Sequence, residues 1–112
     1  MTTQDKLALI GLLVLEFKGE APAWTKETYE QYCTVTEMIE ADTYTQRRMY
    51  AHLQAMVTHR FADSQEINKG HRQGRHLEFK LAIGIEEALD ALEQESRFSS
   101  ISETLYNIRS GR

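Results

Sequence analysis

The sequence contains a single cysteine, Cys33, among 112 residues, so the chain cannot form an internal disulfide. This sparing use of cysteine fits a reducing compartment. The longest apolar run, LALIGLLVL at residues 7–15, is too short for a membrane-spanning helix, which needs about 20 residues. The first residues, MTTQD, have neither the basic start nor the small-residue cleavage site of a signal peptide. We therefore expect a cytoplasmic protein that does not contact a membrane.

The composition is that of an ordinary globular domain. Hydrophobic residues make up 41% of the chain and charged residues 27%, and 112 residues is the length of one domain. No set of side chains combines a nucleophile, a base and an orienting partner. We therefore predict a binding protein and not an enzyme, with no cofactor, no catalytic residue and no small-molecule substrate.

The charges are unevenly distributed along the chain. The net charge is −4, but residues 45–80 contain seven arginines and lysines and only three carboxylates. All four histidines also lie in this segment. An acidic body with one basic segment indicates either a solvated face or a site for an anionic partner, and a concentrated patch matters more for binding than the total charge.

Apolar spacing predicts three helices in the first half of the chain, at residues 5–17, 25–39 and 44–59. A breaker, KGEAPA, follows the first helix, and a very short strand is expected at Ala23 and Trp24. Thr25 is the predicted N-cap of the second helix, with Glu27 in its first turn. Thr43 and Gln46 form a capping-box pattern that would begin the third helix.

The second half of the chain predicts a hairpin and a fourth helix. Residues 61–67 form a weak strand, residues 68–76 a loop, and residues 77–81 an alternating strand. A helix follows at residues 85–95. The predicted fold is mainly α with a small β-hairpin, a winged helix-turn-helix, formed by residues 1–95. Residues 96–112 would be a C-terminal tail, in which apolar residues at helical spacing suggest a short helix or a partner surface.

The third helix presents polar side chains suited to DNA. Arginine bridges a guanine edge or a phosphate, and glutamine reads adenine. The candidates lie on the turns that would face a groove: Gln46, Arg47, Arg48, Tyr50 and Gln54. A solvated helix face would have the same composition, so the helix alone leaves both interpretations open.

The loop between the two strands favours the DNA interpretation. Gly74 allows a close backbone approach, Arg72 and Arg75 flank it, and Lys69 lies nearby. Arginine at the tip of a wing can enter a narrow minor groove. A basic loop two elements after a basic helix favours nucleic-acid binding over a merely solvated surface.

The segment TKETYEQYCTVTEMIEADTYTQRRMYAHLQAM, with the later HRQGRHLEFKL, resembles the C-terminal winged-helix domain of the archaeal origin-recognition and cell-division-control initiators. The likeness covers residues 7–92. Its matching positions are a tyrosine pair, a helix start and a wing: Tyr29 and Tyr32; Thr45, Gln46, Arg47 and Arg48; Arg72, Gly74 and Arg75. The resemblance implies binding of double-stranded DNA as in origin-box recognition, with the recognition helix 44–59 in the major groove and the wing 68–76 in the adjacent minor groove. Arg47 and Arg48 would then contact bases or backbone, and Thr45 and Gln46 a phosphate.

The chain departs from the family pattern at several positions. The leucine at the helix start is Tyr44 here, and the glycine between recognition helix and strand is Arg60. The first wing glycine falls on His71, beside Gly70, and the wing threonine falls on His76. The phosphate-binding loop of the family's ATPase module, G-x-x-x-x-G-K-[ST], is absent from this chain. The chain is therefore interpreted as a stand-alone domain, a truncated relative or a fragment.

Two other functions fit the same sequence. A transcriptional regulator would use the same fold, since fold does not fix function, and a homodimer on palindromic half-sites would favour this alternative. A protein-interaction module would present the basic patch to an acidic replication or transcription partner, or dock the apolar stripe of residues 98–108. No metal is predicted, because His71 and His76 have no companion ligands and Cys33 is distant in sequence.

Overall fold

A computed structural model of the protein describes residues 2–68 and 75–93. Within them the chain forms four helices and three strands: α1 (Thr3–Phe17), β1 (Ala23–Trp24), α2 (Thr25–Met38), α3 (Gln46–Thr58), β2 (Ala62–Asn68), β3 (Arg75–Leu81) and α4 (Ile85–Glu93). The strands form one antiparallel sheet in the order β1-β3-β2. This arrangement confirms the predicted winged helix-turn-helix.

The core surrounds α1, which is buried on almost every side. Its leucines and Ile10 are wholly shielded or nearly so, and they pack with residues of every other helix and of the sheet. Gly11 lets α2 cross α1 closely, because a Cβ at Gly11 would lie 2.9 Å from the carbonyl oxygen of Thr28 and 3.2 Å from the nitrogen of Tyr32. Thus α1 is the scaffold against which α2 and α3 are oriented.

Several predicted boundaries differ from the observed ones. The N-cap of α2 is Trp24 and not Thr25, and the Glu27 carboxylate accepts a hydrogen bond from the Trp24 N–H at 2.8 Å. The N-cap of α3 is Thr45 and not Thr43. The hydroxyl of Thr43 instead lies 2.5 Å from that of Thr36 on α2, so a tertiary contact takes the group that a capping box would have used.

The hairpin strands are longer than predicted, which corrects the expected loop at residues 68–76. Pairing runs from Ala62 opposite Leu81 out to Asn68 opposite Arg75, so the strands include both ends of that loop. Backbone hydrogen bonds between strands need no apolar side chains, which is why polar residues can extend them beyond the alternating pattern. The predicted domain limit at residue 95 and the tail at 96–112 lie outside the described residues.

Three helices end in the same way, with a residue of positive φ after the C-cap. These residues are Gly19 after α1 (φ 71°), Glu40 after α2 (φ 55°) and Arg60 after α3 (φ 66°). At Arg60 the N–H of Phe61 donates to the Met56 carbonyl, and a second bond closes the turn from Arg60. This is the Schellman arrangement, which glycine adopts without a steric cost. The positive φ at this position therefore explains why the family pattern has glycine where this chain has Arg60.

Candidate nucleic-acid interface

The N-terminal end of α3 is an exposed cationic part of the chain. Thr45 caps the helix by accepting a hydrogen bond from the Arg48 N–H at 3.3 Å, and Gln46, Arg47 and Arg48 follow it, all exposed. The first turn of α3 contains no acidic residue, whereas the first turns of the other three helices each contain one or two. The partial positive charge at this helix end is therefore reinforced by arginines, which suits an anion.

One exposed stripe continues along α3 from this end. Arg47, Ala51 and Thr58 are exposed at helical spacing, while Met49, Leu53 and Met56 face the core. Small side chains at Ala51 and Thr58 let the helix approach a flat or grooved surface closely. The stripe therefore allows close contact with another surface, and its charged residue, Arg47, lies at its N-terminal end.

Tyr50 and Gln54 lie beside this stripe, on the side toward the sheet. Both are half-buried, and the Tyr50 ring meets Phe79 edge-on at 6.2 Å between centroids. The Gln54 side-chain amide donates to the Tyr50 hydroxyl at 2.7 Å. These two predicted site residues therefore have structural contacts of their own, and their contact with DNA stays a prediction.

The turn before α3 is held by the two tyrosines of α2. The Tyr32 hydroxyl accepts a hydrogen bond from the Tyr44 N–H at 2.8 Å and donates to the Gln4 side chain at 2.6 Å. The Tyr29 hydroxyl donates to the Tyr44 carbonyl at 2.9 Å. Burial raises the pKa of the Tyr32 phenol, which keeps its proton available for Gln4. The tyrosine pair thus holds the backbone just before α3 against α2.

A second link joins the start of α1 to the middle of α3. The Nδ1 atom of His52 lies 2.6 Å from a carboxylate oxygen of Asp5, and Asp5 also forms a capping box with Thr2. Burial opposes ionisation of Asp5, but the hydrogen bonds from His52 and Thr2 outweigh it and lower the pKa of this carboxyl below its ordinary value of 3.8. The pair anchors α3 to α1 on the side away from the exposed stripe.

The side chain of Arg48 lies over an aromatic ring. Its guanidinium carbon is 3.8 Å from the ring centroid of Tyr44, and His52 approaches the same ring at 5.8 Å between centroids. Neither this contact nor the Asp5–His52 pair was predicted from the sequence. The spacing of Tyr44 and Arg48, four residues apart at a helix start, could have indicated the first contact. The Asp5–His52 pair joins residues that are too far apart in the sequence for a local pattern to predict it.

The predicted wing residues are only partly covered by the structure. β2 and β3 form the stem of the wing, and the stem begins directly after the turn that ends α3. Lys69, Arg72 and Gly74 lie outside the described residues, and for Arg75 only its place at the start of β3 is described. The end of the stem at Arg75 and the arginines at the start of α3 belong to the same fold. How the wing residues lie relative to α3 stays a prediction.

Neither a metal centre nor a membrane span is found in the described ranges. No group of three or more potential ligand side chains gathers there to hold a metal ion. Over the same residues, none of the helices has the length and apolarity needed to cross a bilayer.

The sequence model described as "CDC6, C terminal winged helix domain" matches residues 1–91. The chain is 32% identical over 104 residues to ORC1-type DNA replication protein 1 of Haloarcula marismortui, covering 93% of this chain and 24% of that protein. It is 34% identical over 103 residues to ORC1-type DNA replication protein 7 of Halobacterium salinarum, covering 92% of this chain and 20% of that protein. The chain thus spans a quarter or less of the length of these two relatives.

A solved structure shares the fold. The ORC1 protein of Aeropyrum pernix, determined in complex with DNA, superposes with a TM-score of 0.80 at 25% identity, over 90% of this chain and 26% of that chain. The resemblance inferred from the tyrosine pair, the helix start and the wing is therefore confirmed. The chain belongs to the family of Cdc6 C-terminal winged helix domains.

Proposed function

We propose that this chain binds double-stranded DNA, with α3 in the major groove and the wing in the adjacent minor groove. The observation that carries the proposal is the exposed N-terminal end of α3, where Gln46, Arg47 and Arg48 surround a helix terminus without a carboxylate. The Aeropyrum pernix relative with the same fold was determined in complex with DNA, which supports the proposal.

In this proposal the residues of α3 make different contacts with DNA according to their position on the helix. Arg47, at the head of the exposed stripe, contacts a base edge or the backbone, and Arg48 contacts a phosphate. Gln46 and the free N–H groups of the first turn hold a second phosphate, while Thr45 fixes the geometry of that turn. Gln54 and Tyr50 contribute at the edge of the stripe. In the wing, Lys69, Arg72 and Arg75 neutralise phosphates or enter the minor groove, and Gly74 permits the close approach.

The biological setting we propose is recognition of a replication origin. The two haloarchaeal relatives are named as DNA replication proteins, which favours this role over transcriptional regulation. The chain acts as a binding module in this proposal, and it contributes no ATP-dependent step.

The test measures affinity for a random-sequence duplex across a salt series. The proteins compared are the unmodified chain, Arg47→Ala/Arg48→Ala and Arg72→Ala/Arg75→Ala. Each lost phosphate contact lowers the slope of log affinity against log salt by about 1. We expect each double variant to bind more weakly, with a slope reduced by about 1–2.

A matched control removes two cations elsewhere. Lys18→Ala/Lys26→Ala changes the net charge by the same amount, and both lysines are exposed and lie outside residues 45–80. We expect this variant to keep the slope of the unmodified chain. If all three double variants lose affinity to the same extent, binding follows total charge and not the proposed surface.

A further inference from the structure

We propose that Tyr44 is a positioning residue that holds the Arg48 guanidinium ready for a DNA phosphate. The inference rests on the proposed function and adds to it a residue outside the predicted contact set. It begins from a departure in the sequence, since the family pattern has leucine where this chain has Tyr44. Only an aromatic ring at this position can stack on an arginine.

The ring of Tyr44 is a fixed platform. Its backbone is held on both sides, because its N–H donates to Tyr32 at 2.8 Å and its carbonyl accepts from Tyr29 at 2.9 Å. The side chain is half-buried, packs against the core and has His52 tilted against its ring. The ring therefore cannot follow Arg48 outward, and Arg48 must adapt to the ring.

Stacking leaves the hydrogen-bond donors of Arg48 available. The guanidinium carbon lies 3.8 Å from the ring centroid, and a guanidinium that stacks on its flat face at this distance keeps the N–H donors at its edge for other partners. The same edge binds phosphate with two parallel hydrogen bonds. Arg48 is thus held in an orientation that suits a phosphate before DNA arrives, so less side-chain freedom is lost on binding.

Arg47 provides the internal comparison. Both arginines are exposed and carry the same charge, but on α3 Arg47 points about 100° away from Arg48 around the helix axis. A residue that acts on Arg48 alone should have no effect on the contribution of Arg47. This difference separates positioning of one side chain from a general effect on α3.

The experiment is a double-mutant cycle on duplex DNA affinity at fixed low salt. Tyr44→Leu restores the family residue, and we expect it to weaken binding about two- to tenfold, the factor that corresponds to ordering one long side chain. Tyr44→Phe keeps the ring and should bind like the unmodified chain. In an Arg48→Ala background Tyr44→Leu should have no further effect, whereas in an Arg47→Ala background it should keep its full effect.

The outcomes separate this inference from the proposed function. If the unmodified chain binds DNA and Arg48→Ala weakens it, but Tyr44→Leu does not, the positioning role is overturned and DNA binding stands. Equal losses for Tyr44→Leu in both arginine backgrounds also overturn it, since they point to a shift of α3 as a whole. If the unmodified chain does not bind duplex DNA, both proposals fail.

A second measurement needs neither DNA nor a stable leucine variant. In the unmodified chain the guanidinium carbon of Arg48 lies over the Tyr44 ring, so the side-chain protons nearest to it should show an upfield ring-current shift in the NMR spectrum. Tyr44→Phe should preserve that shift. Arg48 resonances at the usual positions of a free arginine would overturn the inference.

Discussion

Arg60 holds a backbone conformation that costs free energy, and we expect Arg60→Gly to stabilise the fold. Its φ is 66°, and the turn it makes is closed by a hydrogen bond from its own N–H to the Val57 carbonyl at 3.0 Å. The left-handed region costs an ordinary residue about 1–2 kcal/mol. Glycine avoids this cost, but it gives the unfolded chain more conformational freedom, which lowers the free energy of unfolding by about 0.4–1 kcal/mol. The Arg60 side chain is exposed, so its removal exposes no apolar core.

The expected net gain is about 0.5–1 kcal/mol, which raises the melting temperature by roughly 2–8 °C in a domain of this size. The assay is urea unfolding followed by circular dichroism, in which the midpoint should rise without a change in slope. Glu40→Gly, at φ 55°, should behave alike. Ala51→Gly, at an exposed position inside α3, should instead lose about 1 kcal/mol. An Arg60→Gly midpoint that falls together with that of Ala51→Gly would refute the reasoning.

Three further substitutions test the packing that orients α3. Gly11→Ala should lower the free energy of unfolding by about 1–3 kcal/mol, because its methyl group would lie 2.9 Å from the Thr28 carbonyl oxygen; urea unfolding measures the loss. Tyr32→Phe leaves the part-buried Tyr44 N–H without its acceptor and the Gln4 side-chain oxygen without its buried donor, and it should cost about 1–3 kcal/mol by the same assay. The pKa of Asp5 is lowered in the folded state, so its contribution to the free energy of unfolding is complete above about pH 4 and is lost as the pH falls through the folded pKa. The free energy of unfolding of Asp5→Asn should therefore depend less steeply on pH below about pH 4 than that of the unmodified chain.

The sequence alone predicted the helices and the hairpin because each has a local signal, although that of the first hairpin strand is weak. Apolar residues at helical spacing placed α1, α2 and α3 within a few residues of their observed ends. Alternation in residues 77–81 located β3, although its start at Arg75 depends on pairing with Asn68 rather than on its own side chains. Local patterns therefore predicted which elements exist, and pairing between strands set their lengths.

The contacts that shape the candidate interface were not predictable in the same way. Thr43 and Thr45 have equally good capping side chains, and the choice between them depends on the hydroxyl of Thr36, which approaches Thr43 from another helix. The pairing of His52 with Asp5 likewise depends on how α3 lies across α1. Such contacts depend on packing between elements, which a single sequence does not contain. The basic character of the interface, in contrast, was readable from the charges alone.

The central claim is that the chain binds double-stranded DNA mainly through arginine and lysine contacts to phosphate. The most direct measurement is the affinity of the unmodified chain for a random-sequence duplex between about 50 and 200 mM salt. Roughly four to five phosphate contacts, at about 0.9 each, predict a slope of about −4 for log affinity against log salt. Affinity that does not change with salt, or no binding at the lowest salt, would contradict the account.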